Sequence, residues 1–472
     1  MDVLIVGAGP TGLSAALELS RLGVAVRIVD RAAAPSTESR ALAVQSRTLE
    51  LLRVRAVGDQ LCALGNRVGR AALHAGGTRL AEVELHRMSS QFNYILMLAQ
   101  AETERLLTEQ LHRQGVKIER GVEVTSVRNT ASAVQVRLRC GDTEEVVRAP
   151  YLIAADGARS TVRTQLGLTF PGRTLPHHYV LADLHIDGDL PEDQVSIFLA
   201  AEGFVAVFPM GGRRFRMMAT DPDTISGATG EPSVRHIQRL FDRVVHVPVR
   251  LHSQNWSSRF RINSRHMHEL RCGRVFFGGD AAHVHSPAGG QGMNVGIQDM
   301  INLSWKLAMV LDGRARPELL ETYSSERLPV IRTVIRVTEI GTRVFNSTNA
   351  LVHALRIRVA PKALARRRVQ DAAAAMFGQL SAGYRGCGMN PLAGERVPDV
   401  DGLYDELDLA RLTVFAGDAA VVAAAAGWAD VVTVRDARSD GWMLVRPDGY
   451  LAAAGADVDE LEQFLKRWFL TP

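Results

Sequence analysis

The chain begins with four consecutive apolar residues, Val3-Leu4-Ile5-Val6. A run with no polar position suits a strand buried on both faces of a parallel sheet. A glycine turn follows, then PTGLSAALELSRLG with helical apolar spacing, then a second apolar run, VAVRIVD, ending at Asp30. Strand, helix and strand predict a βαβ unit over residues 2–30. A helix is predicted at about 99–114, followed by alternating strands at 116–127, 133–140 and 144–149, which read as a β-meander laid against the main sheet. YLIAADG at 151–157 returns to the buried-strand pattern and ends in a turn.

From about residue 176 to 265 the pattern becomes strand-rich, as in HHYVLADLHI, QVSIFLA, GFVAVFPM and RFRMMAT, with one helix at about 233–245. This predicts a separate antiparallel sheet. RVFFGGD at 274–280 resumes the first unit, and a helical tract runs through about 293–370. Beyond the glycine-rich stretch Gly383–Gly388, residues 385–472 carry 15 acidic against 8 basic residues, a contrast with the basic remainder that marks a further unit. The expected division is residues 1–175 and 269–375 for an α/β first domain, 176–268 for an inserted sheet, and 385–472 for a C-terminal α/β domain.

Composition narrows the class. Apolar residues at 46% and charged residues at 22% are those of a globular chain, and no stretch reaches the length of a membrane helix. The first strand starts too early to leave room for a secretion signal, so the expected location is cytoplasmic. Cys62, Cys140, Cys272 and Cys387 form no CxxC pair, which argues against a disulfide framework or a zinc site, and no metal is expected. The net charge is only +4, and 51 of the 55 basic residues are arginine, a bias that does not point to nucleic acid. The basic run Arg356 to Arg368 reads as a solvated face.

Two glycine motifs carry the chemistry. Gly7-Ala8-Gly9-Pro10-Thr11-Gly12 fits GxGxxG at a strand–helix junction. There the glycines permit a tight turn, a close approach to a diphosphate, and a helix end directed at the phosphates. Asp30 lies 18 residues after Gly12, where a carboxylate can accept from ribose hydroxyls. Alone, this establishes a dinucleotide but not which one. The second motif, Gly278-Gly279-Asp280-Ala281-Ala282-His283, follows another buried strand. It continues through Ser286, Pro287, Gly289, Gly290, Gln291, Gly292, Met293 and Asn294 into a helix. An aspartate at a strand end can hold polyol hydroxyls, and a glycine loop lets backbone amides approach a flat ring. The helix end then stabilises the negative charge of a reduced flavin, which makes the dinucleotide FAD.

With these motifs in view, the chain resembles the class A flavoprotein aromatic hydroxylases of the para-hydroxybenzoate hydroxylase superfamily, and within it the hydroxylases of anthracycline and angucycline polyketides. The resemblance runs through GGDAAHVHSPAGGQGMNVGIQDMINLSWKLA and through Ala155-Asp156-Gly157-Ala158-Arg159-Ser160-Thr161-Val162-Arg163. SRALAVQSRTLELL, LAQAETERLL and LVRPDGYLAAAG extend it to the whole chain. It implies a Rossmann-type FAD domain, an antiparallel substrate sheet, and a thioredoxin-like C-terminal domain without redox cysteines. The implied reaction is hydroxylation of a polycyclic aromatic polyketide through a flavin C4a-hydroperoxide, with NADPH or NADH and O2 as co-substrates, in a monomer or homodimer.

The resemblance also implies roles. Arg31 lies beside the ribose-binding Asp30; Arg40 would reach the FAD diphosphate, Gln100 the ribityl chain or diphosphate, and Asp156 both flavin and NAD(P)H. Arg159 and Arg163 would meet the NADPH phosphates, since guanidinium forks match phosphate geometry. Pro287, Phe208 and Met210 would line the substrate pocket. His283 reads as a support of the loop and His285 as a pocket wall. No residue is assigned as acid, base or nucleophile, because the chemistry resides in the flavin while the protein excludes water and orients the substrate. Absence of a WxW tryptophan pair argues against a flavin halogenase, and absence of a cysteine pair after the first helix against a disulfide reductase. A Baeyer–Villiger or drug-inactivating monooxygenase and a non-oxygenating flavin oxidoreductase remain open, since reaction outcome depends on substrate pose.

Overall fold

The computed structural model describes residues 1–36, 41–201, 203–223, 230–287, 289–347, 349, 352, 355, 358–438 and 440–470. Val3–Val6 lies at the centre of a six-stranded sheet, parallel to Val26–Asp30 on one side and Tyr151–Ala154 on the other. Val275–Phe277 and Ile118–Arg120 extend these flanks in parallel, and Arg271–Cys272 closes one edge antiparallel. Every residue of Val3–Val6, Tyr151–Ala154 and Val275–Phe277 is buried, as uninterrupted apolar runs require. Helix Pro10–Arg21 packs along helix Gly292–Leu311. The two segments that follow the glycine motifs are therefore neighbours.

The strand expected at 116–127 divides. Ile118–Arg120 joins the parallel sheet, while Val122–Asn129 begins the meander with Val134–Cys140 and Thr143–Ala149. Gly121 between them sits at φ +71°, a turn that glycine makes without steric cost.

The second sheet has eight strands, in the order His283–Val284, Val249–His266, Gly172–Gly188, Arg214–Thr220, Gly203–Gly211, Gln194–Ala200, Arg70–Ala75 and Thr78–Glu84. Its last two strands come from the segment between the first helices, and Arg70–Ala75 runs parallel to Gln194–Ala200. Alternation gives this sheet two working faces. Val180, Ala182, Leu184, Phe215 and Met217 pack under helix Val234–Val244 through Ile237, Leu240 and Phe241. Tyr179, Leu181, Phe204, Ala206, Phe208, Met218 and Phe260 form the other face, against Phe345 at the end of helix Thr322–Phe345.

In the C-terminal unit, Leu412–Phe415 pairs in parallel with Val432–Arg435 and antiparallel with Trp442–Val445, which pairs antiparallel with Leu451–Gly455. Helices Ala419–Ala426 and Val458–Trp468 complete a thioredoxin-like arrangement. All four cysteines are free thiols, and none lies beyond Cys387. Of the basic run, residues 356 and 357 lie outside the described residues, and Arg366, Arg367 and Arg368 are exposed. Among the described residues no helix is long and apolar enough to cross a membrane, and no cluster of His, Cys, Asp and Glu could hold a metal ion.

Buried ion pairs join the units. Arg55 grips Glu18 of the first helix through Nε and a terminal nitrogen at 2.6 and 2.8 Å, and donates to the Pro447 carbonyl. Burial opposes ionisation of Glu18, but Arg55 and Arg21 outweigh it and hold the carboxyl at about 2. Burial likewise opposes ionisation of Glu326, and Arg446 with Lys306 brings it down to about 2. Carboxyls depressed in the folded state contribute stability above their ordinary value of 4.5 and lose it as pH falls towards about 2. Each contributes roughly 3 kcal/mol by this measure. Urea unfolding should therefore show stability falling steeply below pH 4.5, with a shallower fall in Glu18→Gln; a flat profile between pH 4.5 and 2.5 would contradict the assignment.

Candidate functional site

The first glycine loop is shaped by what its glycines face. Gly7 sits at φ +104°, and a side chain there would collide with the Ala155 carbonyl; one on Gly12 would collide with the Gly7 carbonyl. Gly9 differs, because nothing lies within 4 Å of the place its Cβ would occupy. That open ground in front of the loop is what a diphosphate needs. Pro10 takes the first helical position, where its missing N–H costs nothing, and no side chain caps the helix. Thr11 follows it into the helix.

Asp30 accepts from the Ala8 amide at 2.6 Å and from the Ala32 amide at 2.7 Å, one on each oxygen. It therefore ties the glycine loop to the end of the second strand, and each oxygen keeps a lone pair for a ribose hydroxyl. Arg31 beside it is exposed, and Arg40 lies outside the described residues. Gln100 accepts the Ala41 amide at 3.1 Å and donates to Glu104 at 2.8 Å. Its side chain thus secures the backbone directly after Arg40.

The second loop is interlocked with the first. Side chains on Gly279 or Gly296 would each collide with Oγ1 of Thr11, so the two glycines clasp that residue from two directions. Asp280 is exposed in the Gly279–Ala281 turn. Beneath it, Asp299 accepts the Gly279 amide at 3.1 Å and Nε2 of His283 at 2.7 Å on one oxygen, and Nε of Arg327 at 2.7 Å on the other. Burial pushes the Asp299 carboxyl up, but Arg327 and His283 outweigh it and hold it below the usual range. His283 is 1% exposed and supports the loop from below.

Further along, Pro287 is exposed and its carbonyl accepts the Gly290 amide at 2.9 Å. A side chain on Gly290 would come within 2.7 Å of the Ala43 Cβ. Asn294 is fully buried: it donates to the Ala43 and Gly290 carbonyls at 2.8 and 3.0 Å and accepts the Gln45 amide at 2.8 Å. Met293 belongs to the core. The side chains of Met293 and Asn294 are thus spent inside the protein, which leaves only their backbone for any ligand. No side chain caps helix Gly292–Leu311.

A third turn meets the first loop, since a Cβ on Gly7 would lie 2.9 Å from the Asp156 amide nitrogen. One Asp156 oxygen accepts the Val162 amide at 3.1 Å; the other is buried without a partner. Burial raises the carboxyl, and the hydrogen bond from the Val162 amide opposes this only in part. Arg159 is exposed. Arg163 corrects its expected role. Its guanidinium is buried over the Phe170 ring and donates to the Ala281 and Ala158 carbonyls, both at 2.7 Å. It braces the Asp156 turn against the Asp280 turn and is not presented to a phosphate.

On the second sheet, half-buried Phe208 pairs across strands with Arg216, and half-buried Met210 lies two residues on. Arg216 is matched in turn with Asp183 and grips it through two nitrogens at 2.6 and 2.7 Å, while donating to the Ala41 carbonyl at 3.2 Å. Sequence reading missed this pair. Its signal was present: Asp183 and Arg216 occupy inward positions of otherwise apolar alternating strands. His285 donates from Nδ1 to the Ser286 carbonyl at 2.8 Å, and burial depresses the ring to about 4. It is thus neutral at pH 7, with Nε2 a buried acceptor without a partner.

The glycine loops, the unpartnered Asp156 oxygen, exposed Asp280 and two uncapped helix ends form a cradle that fits FAD. Its reach agrees with sequence comparison: residues 1–338 match the FAD binding domain family, and residues 390–472 match the family described as aromatic-ring hydroxylase, C-terminal. The chain is 36% identical to the 6-methylpretetramide 4-monooxygenase of Streptomyces rimosus over 96% of its length and 90% of that protein. It is 31% identical to the rifampicin monooxygenase of Streptomyces venezuelae, over 99% of this chain and 98% of the relative. The solved structure of the anhydrotetracycline hydroxylase of Streptomyces rimosus superposes with a TM-score of 0.83 at 30% identity, covering 100% of this chain and 99% of that one.

Proposed function

From a chain that belongs to the FAD-binding aromatic-ring hydroxylase family and is an FAD-dependent monooxygenase, we infer an enzyme that hydroxylates a fused-ring phenol of polyketide type, with NADPH or NADH and O2 as co-substrates. The observation that carries the reading is a juxtaposition. The interlocked glycine loops lie next to an apolar sheet face that holds a partly buried ion pair, Asp183–Arg216, linked to the loop side at the Ala41 carbonyl.

Bound FAD supplies the electrons and activates the oxygen. The chain's own residues do the rest. The helix ends after Gly9 and Gln291 hold the diphosphate and the electron-rich end of the flavin ring. Asp280 and Asp30 take polyol and ribose hydroxyls, and Asp156 offers its unpartnered oxygen. Arg159, exposed beside the Asp156 turn, meets the reductant's phosphates. Leu181, Ala206, Phe208 and Met218 exclude water and fit the flat faces of fused rings, with Met210 and Pro287 at the margins. Arg216, fixed by Asp183, favours the ionised form of a phenol and so makes its ring more nucleophilic. The enzyme works in the cytoplasm as a monomer or homodimer.

Anthraquinone- and naphthacene-type phenols should accelerate NAD(P)H oxidation by the yellow protein in air. If none does, the hydroxylase reading fails. A lactone product would identify Baeyer–Villiger insertion, and turnover of rifampicin a drug-inactivating role, which the 31% identity to a rifampicin monooxygenase brings into the same screen. Arg216→Gln should keep its FAD yet lose about 10–100-fold in kcat/KM, the scale of a charge-assisted hydrogen bond, with the loss smallest at high pH where the phenol ionises unaided. An unchanged pH profile would remove Arg216 from this role.

A further inference from the structure

The turn Arg446-Pro447-Asp448-Gly449 lies in the C-terminal unit, yet its side chains are buried among residues of the flavin unit. Arg446 is 2% exposed and forks onto both oxygens of Glu326 at 2.8 and 2.9 Å, while also gripping Asp448 at 2.9 and 2.6 Å. Glu326 further accepts Lys306 and Asn302, both at 2.7 Å, from helix Gly292–Leu311. The next residue, Arg327, pairs with Asp299 at 2.7 Å and donates to the Val295 carbonyl at 3.2 Å, in the first turn of that helix. Arg327 also reaches the Tyr384 hydroxyl at 3.2 Å, and the Tyr384 ring lies 4.2 Å from that of Tyr450.

We propose that this turn is a positioning element of the flavin site, with Arg446 acting through Glu326, Arg327 and Asp299 on the Gly279 loop and the first turn of Gly292–Leu311. The inference rests on the flavin site described above. Docking of the C-terminal unit does not need the charges. Trp305, Met309 and Leu319 of the flavin unit already share one apolar core with Leu412, Val414 and Trp468. A buried ion network is no more stabilising than apolar packing of the same volume, but it fixes one register. Here the register it fixes is that of the helix whose end faces the flavin.

The test uses the full-length holoenzyme. Wild type, Arg446→Lys and the charge-paired variant Arg446→Met/Glu326→Gln are compared by FAD titration, visible flavin spectrum and thermal melting. The paired variant should melt cooperatively, bind FAD at least about tenfold more weakly and show a shifted flavin band, with Arg446→Lys intermediate. A cooperatively folded paired variant with wild-type FAD affinity and spectrum would overturn the proposal. Hydrogen exchange on the wild type gives a second reading should the variant not fold: FAD should slow exchange at residues 446–450, and no change there would also overturn it. A wild type that binds no FAD would instead sink the flavin site itself.

Discussion

Gly279→Val is expected to give a colourless protein. Gly279 sits at φ +55°, and a side chain there would strike Oγ1 of Thr11. Strain at positive φ for a β-branched residue costs about 1–3 kcal/mol, and displacement of Thr11 adds a clash between the two glycine loops. The N-terminal ends of helices Pro10–Arg21 and Gly292–Leu311, which meet at Thr11, would then move apart. FAD affinity should fall by more than about 100-fold, since several amide contacts are lost together. Equilibrium dialysis of the purified protein with FAD measures this directly. Near-wild-type affinity would mean that the loops are not interlocked. Thr11→Ser keeps the hydroxyl and should retain FAD.

The second large effect lies under the loop. Asp299→Leu strips Arg327 and His283 of their carboxylate and leaves the Gly279 amide without an acceptor. Removing one partner of a buried pair typically costs about 3–5 kcal/mol, because the remaining charge stays desolvated. Urea denaturation should show that loss. The double variant Asp299→Leu/Arg327→Met removes the opposite charges together and should recover a large part of it. If the double variant is no more stable than the single, the pair does not behave as a coupled buried unit. Asp299→Asn keeps an acceptor for Gly279 and should fall between.

The flavin unit was legible in the sequence because its signals are local. An apolar run, a glycine triplet and a helix with no side-chain cap each declare a strand end that faces a ligand. Thr11 was named only as part of a motif, and its place between Gly279 and Gly296 arises from packing across more than 260 residues of chain. Asn294 and Arg163 show the opposite limit. Each sits within a recognisable motif, yet each side chain is consumed by backbone carbonyls that no spacing reveals. The hairpin Arg70–Glu84 escaped because its partner strand, Gln194–Ala200, lies more than 100 residues away and runs parallel to it. The Asp183–Arg216 pair was readable in principle, since a charge at an inward position of an apolar strand calls for a partner. The network around Glu326 was not, since its residues come from three distant segments, and the motifs that hold Asn302, Lys306 and Arg446 do not reveal that they meet.

The most direct test of the account follows the oxygen atom. The yellow holoenzyme is given NADPH, a fused-ring phenol that stimulates its oxidation, and isotopically labelled O2, and the product is weighed. One labelled oxygen on an intact aromatic ring, matched by one NADPH consumed, is the predicted result. A product that carries no label, or NADPH consumption that yields only hydrogen peroxide with every phenol tried, would contradict it.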